Sequence, residues 1–221
     1  MANDGGFEPE SARVTRQLRD DIIDGVRPSG SKLVERDLAN ELGVSRIPVR
    51  DALRALVAEG LVVQRPRTWA VVREFTPADI ADLSEVRSAF EELTFRLAAQ
   101  RHDRAGLRRL QAVLEAEIEA ARAGDAVRAR RAAADFHEVV TDLSGNELLI
   151  ELGQNLRSRM RWLLTQHDDL ELVAAEHERL YLAVADRDVA RVAELVRQHL
   201  ETSRYLSRAG RSADGSSSRV D

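Results

Sequence analysis

Apolar residues at Val14, Leu18 and Ile22 recur every four positions and stop near Gly25, a spacing that predicts a first helix from Ser11 onward. The following PSGSKLV reads as a loop. Glu35 to Leu42 then predicts a short second helix, Gly43 and Val44 a turn, and Arg46 to Glu59 a third helix. Ser45 stands at its N-cap, and Pro48 lies in its first turn, where a missing N–H costs nothing. Val49, Leu53 and Leu56 form the inner face, and Gly60 ends the helix. LVVQ and WAVVR flank RPRT, the pattern of a two-stranded hairpin. Three helices and a hairpin spell a winged helix-turn-helix domain over residues 11–75.

Beyond Thr76-Pro77 the pattern is almost entirely helical. A stripe of Leu83, Val86, Phe90, Leu93 and Leu97 keeps three- and four-residue spacing. Further helical periods run through 103–123, 125–143, 146–166, 169–185 and 188–206, separated by HD, AGD, SGN, HDD and DRD, which supply caps and stops. Six helices over 76–208 predict an all-α antiparallel bundle. The expected fold class is therefore mainly α, a winged helix-turn-helix followed by a helical bundle. Residues 1–10 and 209–221 are polar or low in complexity and are expected to be disordered.

Composition agrees with two cores: 43 % of the 221 residues are apolar. Cysteine is absent, which excludes disulfides and thiolate chemistry. No leader and no long apolar run is present, so a cytoplasmic protein with no membrane partner is expected. The net charge of −5 is unevenly spread. Residues 11–73 hold 12 basic and 8 acidic side chains, and the rest of the chain 21 and 30. The smaller module thus suits an anionic partner. Lys32 is the only lysine, so the abundance of arginine by itself says little about phosphate contacts.

Arg46 and Arg50 lie four apart and project from one side of the third helix. A helix of this kind enters the major groove of double-stranded DNA with its N-terminal residues toward the base edges. Either arginine suits a bidentate bond to guanine, worth about 1–3 kcal/mol of discrimination. Ser45 can offer a phosphate contact, and Arg36 can reach the same groove edge. On an arbitrary helix such arginines are a solvated face; the short helix and turn before them and the hairpin after favour DNA. The stretch SKLVERDLANELGVSRIPVRDALRALVAEGLV resembles the DNA-binding domain of GntR-family bacterial transcription regulators, and the resemblance spans residues 11–73. It implies operator contacts from Arg36, Arg46 and Arg50. The family's wing carries a glycine near its tip where this chain places Trp69, which leaves phosphate contacts from Arg65, Arg67 and Thr68.

Three histidines sit on apolar stripes of three helices: His137 beside Phe136 and Val140, His177 among Val173, Leu180 and Val184, and His199 after Val192 and Val196. One such histidine is usually a hydrogen-bonded core residue, but three converging imidazoles suit a transition metal. His102 and His167 fall at helix junctions and carry no such reading. EVRSAFEELTFRLAA, FHEVVTDLSGN, AEHERL and RQHL resemble the FCD-type ligand-binding domain of the FadR subfamily across residues 76–206. The resemblance implies a small carboxylate-bearing effector and a divalent metal, of the zinc or nickel class, held by one aspartate and three histidines. The aspartate position falls on Ala133, and Asp135 points to another side of the helix. Both a three-histidine metal site and a metal-free pocket lined by His137, His177 and His199 remain open. Arg87 falls where the family places an arginine that pairs with the effector; the alternative is a bridge to Glu91, one turn along. Arg157 and Arg161 form a same-face pair of surface or structural character.

These readings predict a transcription regulator, not an enzyme, that binds a palindromic operator as a homodimer under control of a metabolite. A metal-dependent enzyme with an appended DNA-binding module is the alternative. It lacks a carboxylate placed by sequence beside the histidines, a nucleophile motif and a glycine-rich phosphate loop. A purely architectural DNA-binding protein would need no buried histidine cluster.

Overall fold

The computed structural model describes residues 8–65, 70–166 and 169–217, with side chains through residue 206. The chain divides into two compact units at Thr76 and Pro77. The first contains α1 (Glu10–Ile23), β1 (Lys32–Leu33), α2 (Glu35–Leu42), α3 (Arg46–Glu59), β2 (Val62–Gln64) and β3 (Ala70–Val72). Val14, Leu18, Val49, Leu56 and Leu61 are fully buried, so the four-residue spacing of α1 packs onto the inner face of α3. Arg19 adds a bidentate pair to Glu59, with bonds of 2.7 and 2.6 Å. Gly43 and Gly60 end α2 and α3 at φ of 65° and 79°, a left-handed geometry that costs other residues more.

The hairpin forms as expected, with Val63 opposite Val71. The stretch before α2 departs from its reading as a loop. Lys32 and Leu33 pair with Val71 and Ala70, giving a three-stranded sheet in the order β1-β3-β2. The buried Leu33 anchors this short strand, a single apolar position that is too brief to show a periodicity.

The second unit contains α4 (Pro77–Arg101), α5 (Arg104–Arg122), α6 (Ala126–Leu143), α7 (Glu147–Leu164), α8 (Leu170–Ala185) and α9 (Val189–Ser217). The polar separators act as N-caps: Asp103, Asp125, Asn146 and Asp169 each accept a hydrogen bond from the amide three residues on. The helical backbone of α9 continues past residue 208, where composition suggests the bundle ends. Phe95, Leu110, Phe136, Leu180 and Val196 centre the core.

The inner stripe of α4 differs from the expected one. Ile80, Leu83, Arg87, Glu91 and Phe95 are buried, whereas Val86 is exposed. The helix is rotated so that an internally paired Arg and Glu face inward, a pattern that hydrophobicity alone assigns to solvent.

Replacing Leu56 with Ala is expected to destabilise the first unit by about 2–5 kcal/mol, the usual cost of emptying a leucine-sized core site. Urea unfolding monitored by amide exchange in α1 and α3 measures it, and a loss below about 1 kcal/mol contradicts the packing described.

Candidate functional site

The outer face of α3 carries the charge that the sequence reading assigned to DNA. Arg50 donates two hydrogen bonds to Glu35, of 3.0 and 2.9 Å, and Arg46 donates one of 3.2 Å. Glu35, at the start of α2, thus holds both guanidinium groups side by side while they remain 62 % and 48 % exposed. Arg50 and then Arg46 hold the Glu35 carboxyl below its ordinary value despite an opposing burial effect. The sequence reading missed Glu35 because it stands 11 residues from Arg46; its one signal is an acidic side chain in the first turn of α2. Arg36 is exposed and pairs with Asp37 at 3.1 Å. Ser45 occupies the N-cap position but makes no capping hydrogen bond, contrary to expectation, so helical order at this end does not consume its hydroxyl. Arg65 is exposed at the end of β2. Arg67, Thr68 and Trp69 lie outside the described residues, as does His167.

In the second unit the three histidines meet. Their ring centroids are 4.8–5.4 Å apart, and all three side chains are buried. Three carboxylates surround them, where the sequence reading found none. His177 donates from Nδ1 to both oxygens of Glu117 on α5, at 2.9 and 2.8 Å. His199 donates from Nδ1 to Glu176 on α8 at 2.7 Å, and the same carboxylate accepts from Thr202 at 2.8 Å. Glu91 Oε1 lies 3.1 Å from His137 Nδ1, off the angle a hydrogen bond needs. Glu117 was detectable in principle, since it continues the buried spacing Leu110, Leu114, Glu117 and Ala121.

Arg87 donates to Glu91 at 2.8 Å, to Ser203 at 2.5 Å and to His199 Nε2 at 3.0 Å. The bridge to Glu91, one of the two readings open from sequence, is therefore formed. Burial works against the Glu91 carboxylate, but Arg87 and then His137 outweigh it and hold the carboxyl well below the usual range. Asp135 takes no part; it pairs with Arg161, which also donates to Glu138, and Arg157 pairs with Glu138. The Arg157–Arg161 pair thus ties α7 to α6, as its structural reading anticipates.

The donor set fits a transition metal. With Nδ1–H directed at carboxylates, His177 and His199 turn Nε2 inward, the arrangement by which outer carboxylates orient metal-binding imidazoles. His137 Nε2 and His177 Nε2 are buried without hydrogen-bond partners. One ligand nitrogen from each ring lies within 4.8 Å of the others. Two nitrogens about 2.1 Å from a common ion are at most about 4.2 Å apart, so only small ring movements are required. His199 Nε2 must first part from Arg87. Ala133 is buried beside His177, His199 and Glu117 at a cavity of about 10 Å³ and offers no ligand atom.

A larger cavity of about 540 Å³ lies between α4, α5, α6 and α7. Phe90, Val113, Val139, Ile150, Leu156 and Met160 give it an apolar wall, and Arg87, Glu91 and His137 form a polar patch. Its size falls in the range of about 300–1,000 Å³ typical of small-molecule sites. His102, in contrast, is a core residue whose Nδ1 lies 3.0 Å from the Ala98 carbonyl oxygen.

A winged helix with paired arginines on its outer face, joined to a helical domain with a cavity beside a histidine cluster, has the parts of a DNA-binding regulator. Comparison with known proteins agrees. Residues 10–72 match bacterial regulatory proteins of the gntR family, and residues 82–202 match the FCD domain. LutR, an HTH-type transcriptional regulator of Bacillus subtilis (strain 168), is 32 % identical over 206 residues, covering 81 % of this chain and 92 % of the relative. RspR, an HTH-type transcriptional repressor of Escherichia coli (strain K12), is 26 % identical over 201 residues, covering 88 % and 87 %. Among solved structures, E. coli McbR/YncC shares the fold with a TM-score of 0.81 at 21 % identity, over 92 % of this chain and 99 % of that one. A GntR transcriptional regulator from Rhodococcus sp. RHA1 aligns with a TM-score of 0.77 at 26 % identity, over 90 % and 97 %. The chain belongs to the GntR family of transcription regulators, with the FCD-type domain of the FadR subfamily. It is a DNA-binding regulator and not an enzyme. No helix among the described residues is long and apolar enough to cross a membrane.

Burial pushes His137 below the ordinary histidine range against the pull of Glu91, and pushes His199 well below it with further help from His177 and Arg87. The unfolded chain therefore binds more protons than the folded one below about pH 6.5, and stability should fall there as pH falls. Each histidine contributes up to about 1.4 kcal/mol per pH unit. Glu91, depressed in the folded state, retains its contribution above about pH 4.5 and loses it only as pH falls through its lower folded value. Urea midpoints read from amide exchange in α6 and α9 should drop between pH 7.5 and 5.5; equal midpoints contradict neutral buried histidines.

Proposed function

We propose that the chain binds a palindromic operator as a homodimer and that a carboxylate-bearing metabolite in the second unit sets its affinity for DNA. The observation that carries the DNA reading is the pair of exposed arginines that Glu35 holds together at the leading end of α3. Arg46 and Arg50 read base edges, Ser45 contacts a phosphate, Arg36 reaches the same groove edge, and Arg65 adds a phosphate contact from beyond β2; the contacts expected of Arg67 and Thr68 concern residues outside those described. One winged helix grips a half-site, so paired half-sites call for two copies.

In the second unit, the cavity near Arg87 and His137 supports the effector reading. The effector's carboxylate pairs with Arg87, which has N–H groups beyond its three internal bonds, and its body lies against the apolar wall. His137, His177 and His199 hold a divalent transition metal of the zinc or nickel class, oriented through Glu117 and Glu176. When bound, such an ion supplies a Lewis-acidic anchor for effector oxygens. The effector controls operator affinity only as far as it binds the DNA-competent arrangement of the dimer differently from the other.

Arg50→Ala should reduce preference for an operator selected from random duplexes by about 1–3 kcal/mol per half-site, with the melting temperature nearly unchanged because the side chain is exposed. Fluorescence anisotropy against selected and scrambled duplexes tests this, and full retention of preference removes α3 as the reading helix. Glu117→Gln should weaken zinc or nickel binding about 10- to 100-fold, measured by competition with a chromogenic chelator. An unchanged affinity, or no stoichiometric metal in the wild-type protein after metal loading, overturns the metal reading while leaving the effector reading to a screen of carboxylic acids by thermal shift.

A further inference from the structure

One side chain on the outer face of α3 serves neither the core nor the charge pattern. Ile47 is 70 % exposed, although it is flanked by Arg46 and the buried Pro48. The helix turns by about 100° per residue. On that geometry Pro48, Val49, Ala52, Leu53 and Leu56 define the buried arc, and Ile47 and Arg54 point almost opposite its centre. Arg46 and Arg50 flank them on one side and Asp51 on the other. Arg54 lies two turns further along and pairs with Asp51. Ile47 belongs to the first turn, the part of a recognition helix that meets base edges. The side chain aimed most directly into the groove is therefore one with neither donor nor acceptor.

Isoleucine makes no hydrogen bond to phosphate or the polar base edges, and pressing it against them strips water from groups that then lack partners. The apolar feature of the major groove is the C5-methyl group of thymine. A single exposed apolar residue is ordinary on a surface that stays in water. This one stands among the arginines of the DNA-facing surface and is covered whenever they engage a base. We infer that Ile47 is a specificity-determining residue that selects thymine: each operator half-site carries a thymine whose methyl group packs on Ile47, beside the base pair read by Arg46 or Arg50. The inference rests on α3 being the reading helix and adds a base preference that the arginines do not supply.

The test uses the full-length protein and a duplex selected from random sequence. Each thymine of the half-site is replaced in turn by deoxyuridine, symmetrically in both halves, which removes only the methyl group. At one position the dissociation constant should rise roughly three- to fivefold per half-site, the value of one buried methyl group. Ile47→Ala, a change at an exposed position that leaves the core intact, should still bind the duplex but no longer distinguish thymine from uracil there. Wild-type binding that is indifferent to uracil at every thymine overturns the inference, as does an Ile47→Ala variant that keeps the discrimination. A protein that selects no sequence at all overturns the reading of α3 itself, and the thymine preference with it.

Discussion

A guanidinium and a carboxylate buried side by side on α4 leave the neighbouring helices little freedom. Away from water, Arg87 and Glu91 depend on their partners to stay charged, and removing one member of such a pair typically costs about 3–5 kcal/mol. Those partners come from other elements: Ser203 and His199 on α9 bind the guanidinium, and His137 on α6 faces the carboxylate. Glu176 then ties His199 to α8, and Glu117 ties His177 to α5. The apolar core continues from this network without a break, since the Phe136 ring stacks on His177 with centroids 4.5 Å apart. Apolar packing accepts small sliding movements; a hydrogen-bonded network at low dielectric does not. Hydrogen bonds at the polar centre thus link α4, α5, α8 and α9, and the approach of His137 to Glu91 brings in α6.

The two units divide stability and recognition differently. In the first, α3 separates them by face: Val49, Leu53 and Leu56 hold the helix down, while Ser45, Arg46 and Arg50 look outward and can change with little cost to the fold. In the second, the groups that tie helices together are also the ones proposed to meet a ligand. Arg87 and the histidines bind helices to one another and also border the cavities. A molecule that recruits one of their hydrogen bonds must loosen or replace a tie between helices. On the proposed effector reading, this is the route from occupancy of the cavity to a change in helix arrangement.

How much of this was legible in the sequence follows the range of each interaction. Helix limits and caps were plain, because Asp103, Asp125, Asn146 and Asp169 act within three residues. The inward faces of His137, His177 and His199 were plain as well, since each lies on a regular apolar stripe. Strand β1 was missed because two residues give no period, and its pairing partner is nearly forty residues away. The inner face of α4 was misjudged because hydrophobicity places Val86 inside, whereas Arg87 is buried instead with partners in Glu91, Ser203 and His199. Glu35, Glu117 and Glu176 went unrecognised as supports for arginine and histidine because their partners stand on other helices. No local pattern marks such a contact.

Glu35 has a consequence for how the protein searches a chromosome. A carboxylate that already occupies Arg46 and Arg50 stands in for the phosphates of any duplex they meet. Any duplex must compete with that internal anion before it gains the same arginines. On the proposed reading of α3, a guanine presenting two acceptors in one plane repays that displacement through bidentate pairing. The internal counter-charge therefore lowers the gain from every anion while it keeps the two guanidinium groups side by side. The geometry of the proposed reading face thus depends on a contact between two helices of the same unit.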